Sequence, residues 1–289
     1  MPAAAIQAAR ISKRFALAAA ALIVAVASAA TPALASPSRA GSDVPVATSA
    51  NWAGYAVTAS QGAPSASFSN VSGSWIQPAA TCTAGTPTFS AFWVGIGGFS
   101  PTSQALEQVG TEADCSPTGH VTYFAWYELV PAAPVTVKLP LKAGDGIAAS
   151  VAVSGKNVSI RITNVTQKKN TFAKRLTMTS PAPDLSSAEW VAEAPSACTT
   201  RGTCTVLPLA NFGGMTFVAA KATAAGHTGT ISDPAWSATA ISLAGGGPMG
   251  PRHFATVALT ANATPTPLSP DGSLFGVTWS EPQPEGAAG

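Results

Sequence analysis

Residues 90–129 read SAFWVGIGGFSPTSQALEQVGTEADCSPTGHVTYFAWYEL and hold much of the scarce polar chemistry of a largely apolar chain. Residues 90–96 have the aromatic and β-branched content of a strand, and Gly97-Gly98 punctuates them as a turn. Residues 105–110 predict a second short strand, and residues 123–129 predict a third. The stretch therefore indicates a β-rich fold.

Alternation along these strands separates their two faces. In the second strand Gln108 shares a face with Leu106. In the third, Glu128 shares a face with Phe124 and Trp126. A carboxylate in line with two aromatic rings is not an ordinary solvent-facing pattern. We therefore expect a chemical site on this face, with the amide of Gln108 on the middle strand.

The rest of the chain offers more short strands separated by Gly, Pro, Ser or Asn, and no long segment has a convincing helical period. The strand candidates are 51–57, 67–76, 88–96, 105–110, 121–130, 135–139, 146–153, 158–164, 188–193, 215–220, 238–243, 256–261 and 274–279. Such spacing predicts an all-β fold, an antiparallel double-sheet β-sandwich of the concanavalin-like jelly-roll kind.

The start of the chain has the features of a secretory signal peptide. A basic segment and an apolar run precede Ala33-Leu34-Ala35, a small-residue cleavage site, so we assign residues 1–35 to the signal. The apolar run is short for a membrane span, which predicts a secreted, extracellular protein without a membrane anchor.

The remaining chain divides into three parts. We expect a flexible leader or short pro-segment over residues 36–49, one β-sandwich domain over 50–279, and a disordered Pro- and Gly-containing tail over 280–289. We expect this domain to be a monomer.

Charge excludes some partners. Without the signal peptide, twelve basic and thirteen acidic residues leave a net charge of −1, and no basic patch indicates nucleic acid. Only 10% of the residues are charged, against about 25% in a typical soluble domain. Such a chain has few positive charges to repel one another once its carboxylates are protonated, which fits a protein that works in acid.

Four cysteines lie in the exported part, at Cys82, Cys115, Cys198 and Cys204. Three pairings are formally possible. We favour Cys198 with Cys204, because the intervening TTRGT reads as a tight loop, which leaves Cys82 with Cys115. A metal site is the competing reading, but neither spacing is CxxC and an exported chain meets an oxidising compartment.

No familiar nucleophile or metal motif is present. His120, His227 and His253 lie in Gly- or Pro-rich surroundings outside any HExxH pattern, and the chain has no GxSxG elbow. For each histidine a surface loop is the favoured reading. We therefore expect no metal and no cofactor.

Residues 187–195, SAEWVAEAP, carry two more glutamates. The strand period places Glu189 and Glu193 on one face and Trp190 on the other, with roughly 13 Å between the two glutamates. Pro195 ends the strand and leaves Glu193 near a possible cleft. From composition alone, both glutamates would more often be solvated strand-face residues. A bulge would change which of them faces Gln108.

Six short motifs, taken together and in order, resemble those of the glutamic peptidases, or eqolisins. The resemblance spans about Asn51 to Phe217, and its motifs are NWAG at 51–54, WVGIGG at 93–98, LEQVG at 106–110, AWYE at 125–128, AGD at 143–145 and AEWVAE at 188–193.

The resemblance implies a β-sandwich whose cleft hydrolyses peptide bonds with a glutamine and a glutamate. By position in the motifs these are Gln108 and Glu193, while Trp93, Glu128 and Glu189 match residues that line or support the cleft, to which we add Trp126. Two positions depart from the better-known fungal pattern: Gly97 stands where an aspartate is usual, and Phe124 replaces the aspartate before the AWYE motif. The departures bear on supporting hydrogen bonds and pH range.

Two alternatives stay open at this point. A glycoside hydrolase could use Glu128 and Glu193 as its carboxylate pair on a similar sandwich. A lectin-like module could bind carbohydrate without catalysis, because a fold does not fix a function. The ordered motif around Gln108 favours an acid-active endopeptidase with protein or peptide substrates.

Overall fold

In the computed structural model, the described residues are 44–60, 66–167, 170–200, 203–245, 247–254 and 260–282. They form strands and no α-helix, so none of the described segments is a helix able to cross a membrane. The predicted signal peptide, most of the strand predicted over 256–261 and most of the predicted tail lie outside the described residues.

The strands are numbered in chain order. They are β1 Val46–Ser49, β2 Trp52–Ala59, β3 Phe68–Ile76, β4 Ala91–Ile96, β5 Leu106–Cys115, β6 Val121–Val130, β7 Val135–Val137, β8 Gly146–Ser154, β9 Asn157–Asn164, β10 Asn170–Thr177, β11 Ser187–Glu193, β12 Ser196–Cys198, β13 Thr203–Val206, β14 Gly214–Ala224, β15 His227–Gly229, β16 Trp236–Leu243, β17 His253–Phe254, β18 Asn262–Pro265 and β19 Phe275–Ser280.

Almost all strands belong to one hydrogen-bonded path that folds into two layers. Its order is β10-β9-β8-β3-β14-β19-β18-β16-β2-β11-β4-β5-β6-β7, with β1 beside β16 and β15 beside β14. All pairs along the path are antiparallel, and β1 pairs with β16 in parallel. A separate small sheet contains β12, β13 and β17. The predicted all-β, antiparallel sandwich is confirmed.

The main core lies between the two layers. Strands β3 and β8 contact β4 across it, and the inward side chains of β5 and β11 add to it. Trp75 and Trp190 are buried there, and each indole nitrogen donates a hydrogen bond, to the Thr111 hydroxyl and the Ser72 carbonyl respectively. Burying two large aromatic rings with their polar atoms satisfied stabilises the sandwich.

A second, smaller cluster lies on the opposite face of the β2-β11-β4-β5-β6 layer. Its buried members include Trp52, Trp93, Leu106, Trp126 and Val191. These alternate along their strands with the residues that face the main core, as a strand buried on both faces requires. This outer face carries the candidate site.

The structure extends or corrects several predicted elements. Strand β5 continues to Cys115 rather than ending at residue 110. Residues 46–49, which we assigned to the leader, form β1 and pair with β16. Strand β10 was not predicted, because its residues are mostly polar or exposed at the edge of the sheet.

Both favoured disulfides are present, Cys82–Cys115 and Cys198–Cys204. The first ties the end of β5 to the chain before β4. The second joins β12 to β13 just after Glu193. Both bridges therefore fasten loops that flank the outer face.

Candidate active site

Strand β4 lies between the two strands that carry the predicted dyad. Gly95 pairs with Gln108 of β5 on one side and with Glu189 of β11 on the other. Glu193 lies four residues further along β11, opposite Ala91. The register from 188 to 193 is unbroken, so no bulge separates the two glutamates, and Glu193 and Glu189 point to the same face.

A cleft of about 520 Å³ opens on this face. Gln108 and Glu193 both line it, as do Glu128 and Trp126. Glu189 does not line it and is completely buried. The structure therefore brings four of the predicted site residues into one cleft and separates Glu189 from them.

Two glycines make room for the Trp93 indole on this face. A Cβ at Gly110 would lie 2.6 Å from the Cβ of Trp93, and a Cβ at Gly95 would lie 2.9 Å from its Cζ3. The indole Nε1 donates to the Glu193 carboxylate at 2.7 Å. The glycines in WVGIGG and LEQVG thus leave space for the Trp93 ring, whose Nε1 holds the Glu193 carboxylate.

Asn51 holds the other oxygen of the same carboxylate. Its Nδ2 donates to Glu193 Oε1 at 3.2 Å and to the Met249 carbonyl at 3.0 Å. Its Oδ1 accepts from the Met249 N–H at 2.6 Å. Asn51 therefore links Glu193 to the segment around Met249 through hydrogen bonds to both.

The pKa of Glu193 is raised to about 7, because burial and the nearby Glu128 carboxylate, which raise it, outweigh the Trp93 hydrogen bond, which lowers it. A carboxyl group with this pKa exchanges a proton readily near neutrality, as a general acid–base group must.

Gln108 donates from Nε2 to Glu128 Oε2 at 2.7 Å. Its Oε1 is buried and accepts no hydrogen bond from the described residues. Gln108 thus lines the cleft with a buried carbonyl oxygen that lacks a partner among the described residues, which is uncommon outside functional sites.

Glu112 and Asp114 form a carboxyl pair at the cleft that our sequence reading did not assign. Both line the cleft, and Glu112 donates a hydrogen bond to Asp114. Burial and the Asp114 charge raise the pKa of Glu112 to about 9, and burial raises the pKa of Asp114 to about 6. Between these two pKa values the pair holds one proton, and in weak acid both carboxyls are protonated.

Asp184 lies directly beside Gly97, where the sequence departs from the fungal pattern. A Cβ at Gly97 would lie 2.7 Å from the Cβ of Asp184. The Asp184 carboxylate accepts from Gly98 N–H at 3.3 Å and from the Ser103 hydroxyl. Burial raises its pKa, but these hydrogen bonds and those from Ser186 outweigh burial and lower it. A carboxylate from another segment thus lies beside Gly97, the position at which the fungal sequence pattern has an aspartate.

Arg252 is the cleft residue with the least sequence signal. Its guanidinium contacts Glu128 Oε1, and its Nη1 lies 3.5 Å from Cys198 Sγ. Asn51 and Asp184 are similar cases, because each is a loop residue that reaches the site only through folding. The only sequence feature that pointed to Asn51 was its place in the NWAG motif.

Among the described residues, no group of three or more His, Cys, Asp or Glu side chains is arranged to hold a metal ion. The polar side chains that line the cleft include carboxyls, one amide, one guanidinium and two hydroxyls. Together they can move a proton and stabilise a developing negative charge.

Comparison with known proteins agrees with this geometry. A family model described as the Peptidase A4 family matches residues 50–247. No curated protein matches the chain significantly.

Solved structures share the fold. Scytalido-glutamic peptidase, solved with a transition-state analogue inhibitor, is 21% identical with a TM-score of 0.61. SCP-B, a member of the eqolisin family solved with the tripeptide Ala-Ile-His, is 22% identical with a TM-score of 0.56. Each alignment covers 80% of this chain and 98% of the other.

The family match covers most of the chain, so the glycoside hydrolase and lectin alternatives are not supported. The chain belongs to the A4 family of peptidases, the glutamic peptidases or eqolisins, and is a hydrolase of peptide bonds.

Proposed function

We propose that the protein is a secreted, monomeric endopeptidase that cleaves protein or peptide substrates in acid, with Gln108 and Glu193 as its catalytic dyad. The observation that carries the proposal is that both side chains line one cleft while Trp93 and Asn51 hold the Glu193 carboxylate. The paired disulfides are compatible with an extracellular protein.

The two side chains have complementary roles. Ionised Glu193 takes a proton from a water molecule as the water attacks the peptide carbonyl, and later gives that proton to the leaving amine. Gln108 does not titrate, so its NH₂ group donates to the developing oxyanion and its Oε1 helps to position the water. Trp93, Asn51 and Glu128 position this pair, and Trp126 contributes to the wall of the cleft.

The pKa of Glu193 determines the acidic pH values at which enough of its carboxyl is ionised to act as a base. With a pKa of about 7, roughly one carboxyl in a hundred is ionised at pH 5 and one in ten at pH 6. A general base with this pKa is nearly all protonated in strong acid and gains activity toward neutral pH, so the proposed acid activity belongs to the weakly acidic range.

Hydrolysis of a denatured protein should be found in weak acid and should resist both a pepstatin-type inhibitor and a chelator. The proposed base is a glutamate rather than an aspartic pair or a metal-bound water. The purified secreted protein would be incubated from pH 2 to 9 with each additive, and cleavage followed by peptide release. Loss of activity with the chelator, or activity confined to alkaline pH, would contradict the proposal.

A second reading of the same pH series tests the base. On the acid side, kcat/KM should rise about tenfold per pH unit until it bends near the pKa of Glu193. A maximum below pH 4 would instead mean that Glu193 enters the reaction protonated.

A further inference from the structure

Glu128 receives a different partner on each of its two oxygens. Gln108 Nε2 donates to Oε2 at 2.7 Å, and the Arg252 guanidinium contacts Oε1. The Glu128 side chain is only 8% exposed and that of Arg252 20% exposed. The three residues form a chain of contacts from the edge of the cleft to the proposed oxyanion donor.

Arg252 is the one basic side chain among the described residues that line this cleft. It faces a concentration of acid groups, since Glu112, Asp114 and Glu193 line the same cleft as Glu128. Burial raises the pKa of Glu128, and the charge and hydrogen bond of Arg252 oppose that rise. A guanidinium is the side-chain cation best suited to a buried ion pair with a carboxylate.

The charge on Glu128 determines how the Gln108 amide is oriented. An ionised carboxylate accepts hydrogen bonds and cannot donate them, so Gln108 must present its NH₂ group to it. This leaves the second N–H and Oε1 of Gln108 for the reaction. A protonated Glu128 can donate to the amide oxygen, so the Gln108 amide can rotate by about 180° and exchange the positions of its NH₂ group and Oε1.

The segment that contains Arg252 is linked to both members of the proposed dyad. Residues 247–252 form a strap at the cleft, of which Met249, Gly250, Pro251 and Arg252 line it. Asn51 fastens Met249 to Glu193, and Arg252 fastens the same strap to Glu128. One short segment therefore touches the supports of both catalytic side chains.

We propose that Arg252 is a positioning residue for catalysis, which acts through Glu128 to fix the orientation of the Gln108 amide. This inference rests on the proposed function of Gln108. It assigns a catalytic contribution to a loop residue outside every motif that identified the family.

The test compares Arg252→Met, which keeps the length of the side chain and removes its charge, with Arg252→Lys. We expect Arg252→Met to lower kcat on a peptide substrate by about tenfold to a hundredfold and to change KM by less than about threefold. Arg252→Lys should recover most of the lost kcat. Arg175→Met, at an exposed position of β10, is the matched control and should behave as the wild type. Thermal melts of each variant report folding.

A double-mutant cycle isolates the route through Glu128. In a Glu128→Gln background, Arg252→Met should change kcat by less than about twofold, because the partner of the charge is gone. An equal loss in both backgrounds, or a loss seen in KM alone, would overturn the inference. If Arg252→Met does not fold, Arg252→Gln, which also removes the charge, is carried through the same cycle.

Gln108→Ala, measured in parallel, separates this inference from the proposed function. An active Gln108→Ala enzyme would refute the dyad itself. An inactive Gln108→Ala enzyme beside a fully active Arg252→Met enzyme would refute only the positioning role of Arg252.

Discussion

Gln108→Ala and Glu193→Gln should each lower kcat by at least about a hundredfold while the fold stays intact. Losing one oxyanion donor typically removes about 3 to 4 kcal/mol of transition-state stabilisation, and losing the general base removes a comparable amount. The two losses should not add in the double variant, because the side chains act on the same step. Steady-state kinetics with circular dichroism as the folding check would measure this.

Glu189→Gln is the control for that experiment. Glu189 is completely buried outside the cleft, and burial raises its pKa well above the usual value. A neutral glutamine of the same shape should therefore be tolerated far better than at Glu193. If Glu193→Gln hydrolyses peptides at a near-normal rate and Glu189→Gln does not, the two glutamates have exchanged roles.

The second large effect is a loss of stability as pH rises. Burial, together with the Asp184 charge, raises the pKa of Glu107 to about 9, and burial also raises that of Glu189. The folded protein keeps these protons at pH values at which the unfolded chain, with carboxyl pKa values near 4.5, has released them. Their contribution to stability is complete below about pH 4.5 and is lost as the pH rises toward the folded-state pKa values.

The size of this effect can be measured directly. For each proton that the folded state keeps and the unfolded chain has released, the free energy of unfolding falls by about 1.4 kcal/mol for every unit that the pH rises in that window. Denaturant melts from pH 4 to 8 should show the decline. In Glu107→Gln, the slope of the free energy of unfolding against pH should be smaller by the contribution of about one proton. Glu281→Gln, at an exposed position near the end of the described chain, should leave the slope as it is. A stability that is flat or rises over this range would contradict the assignment.

The fold could be predicted from sequence because its main strands carry clear alternation. Residues 121–130 form a strand with the predicted bounds. The end of β5 was missed because Glu112 and Asp114 read as a loop, although their side chains lie on the cleft face. β10 was missed because an edge strand needs few apolar residues.

The site was predictable only where its residues sit inside strand motifs. Gln108, Glu128 and Glu193 follow from alternation and the resemblance to the eqolisins, and register then brings them to one face. Arg252 and Asp184 have no pattern of their own, because a loop residue is placed by tertiary packing rather than by local period. Their contacts with Glu128 and Gly98 emerge only from the folded chain.

The cleft lies on one face of a single hydrogen-bonded layer rather than between two domains, and the described residues between 44 and 282 form one compact unit. We expect this groove, which is already formed in the folded chain, to require straightening of the substrate segment that it binds. A tightly folded protein resists that straightening, whereas an unfolded one has already lost its packing. Acid unfolds many proteins by protonating their paired carboxylates. The acid proposed for this enzyme would therefore also convert compact proteins into chains that it can cleave.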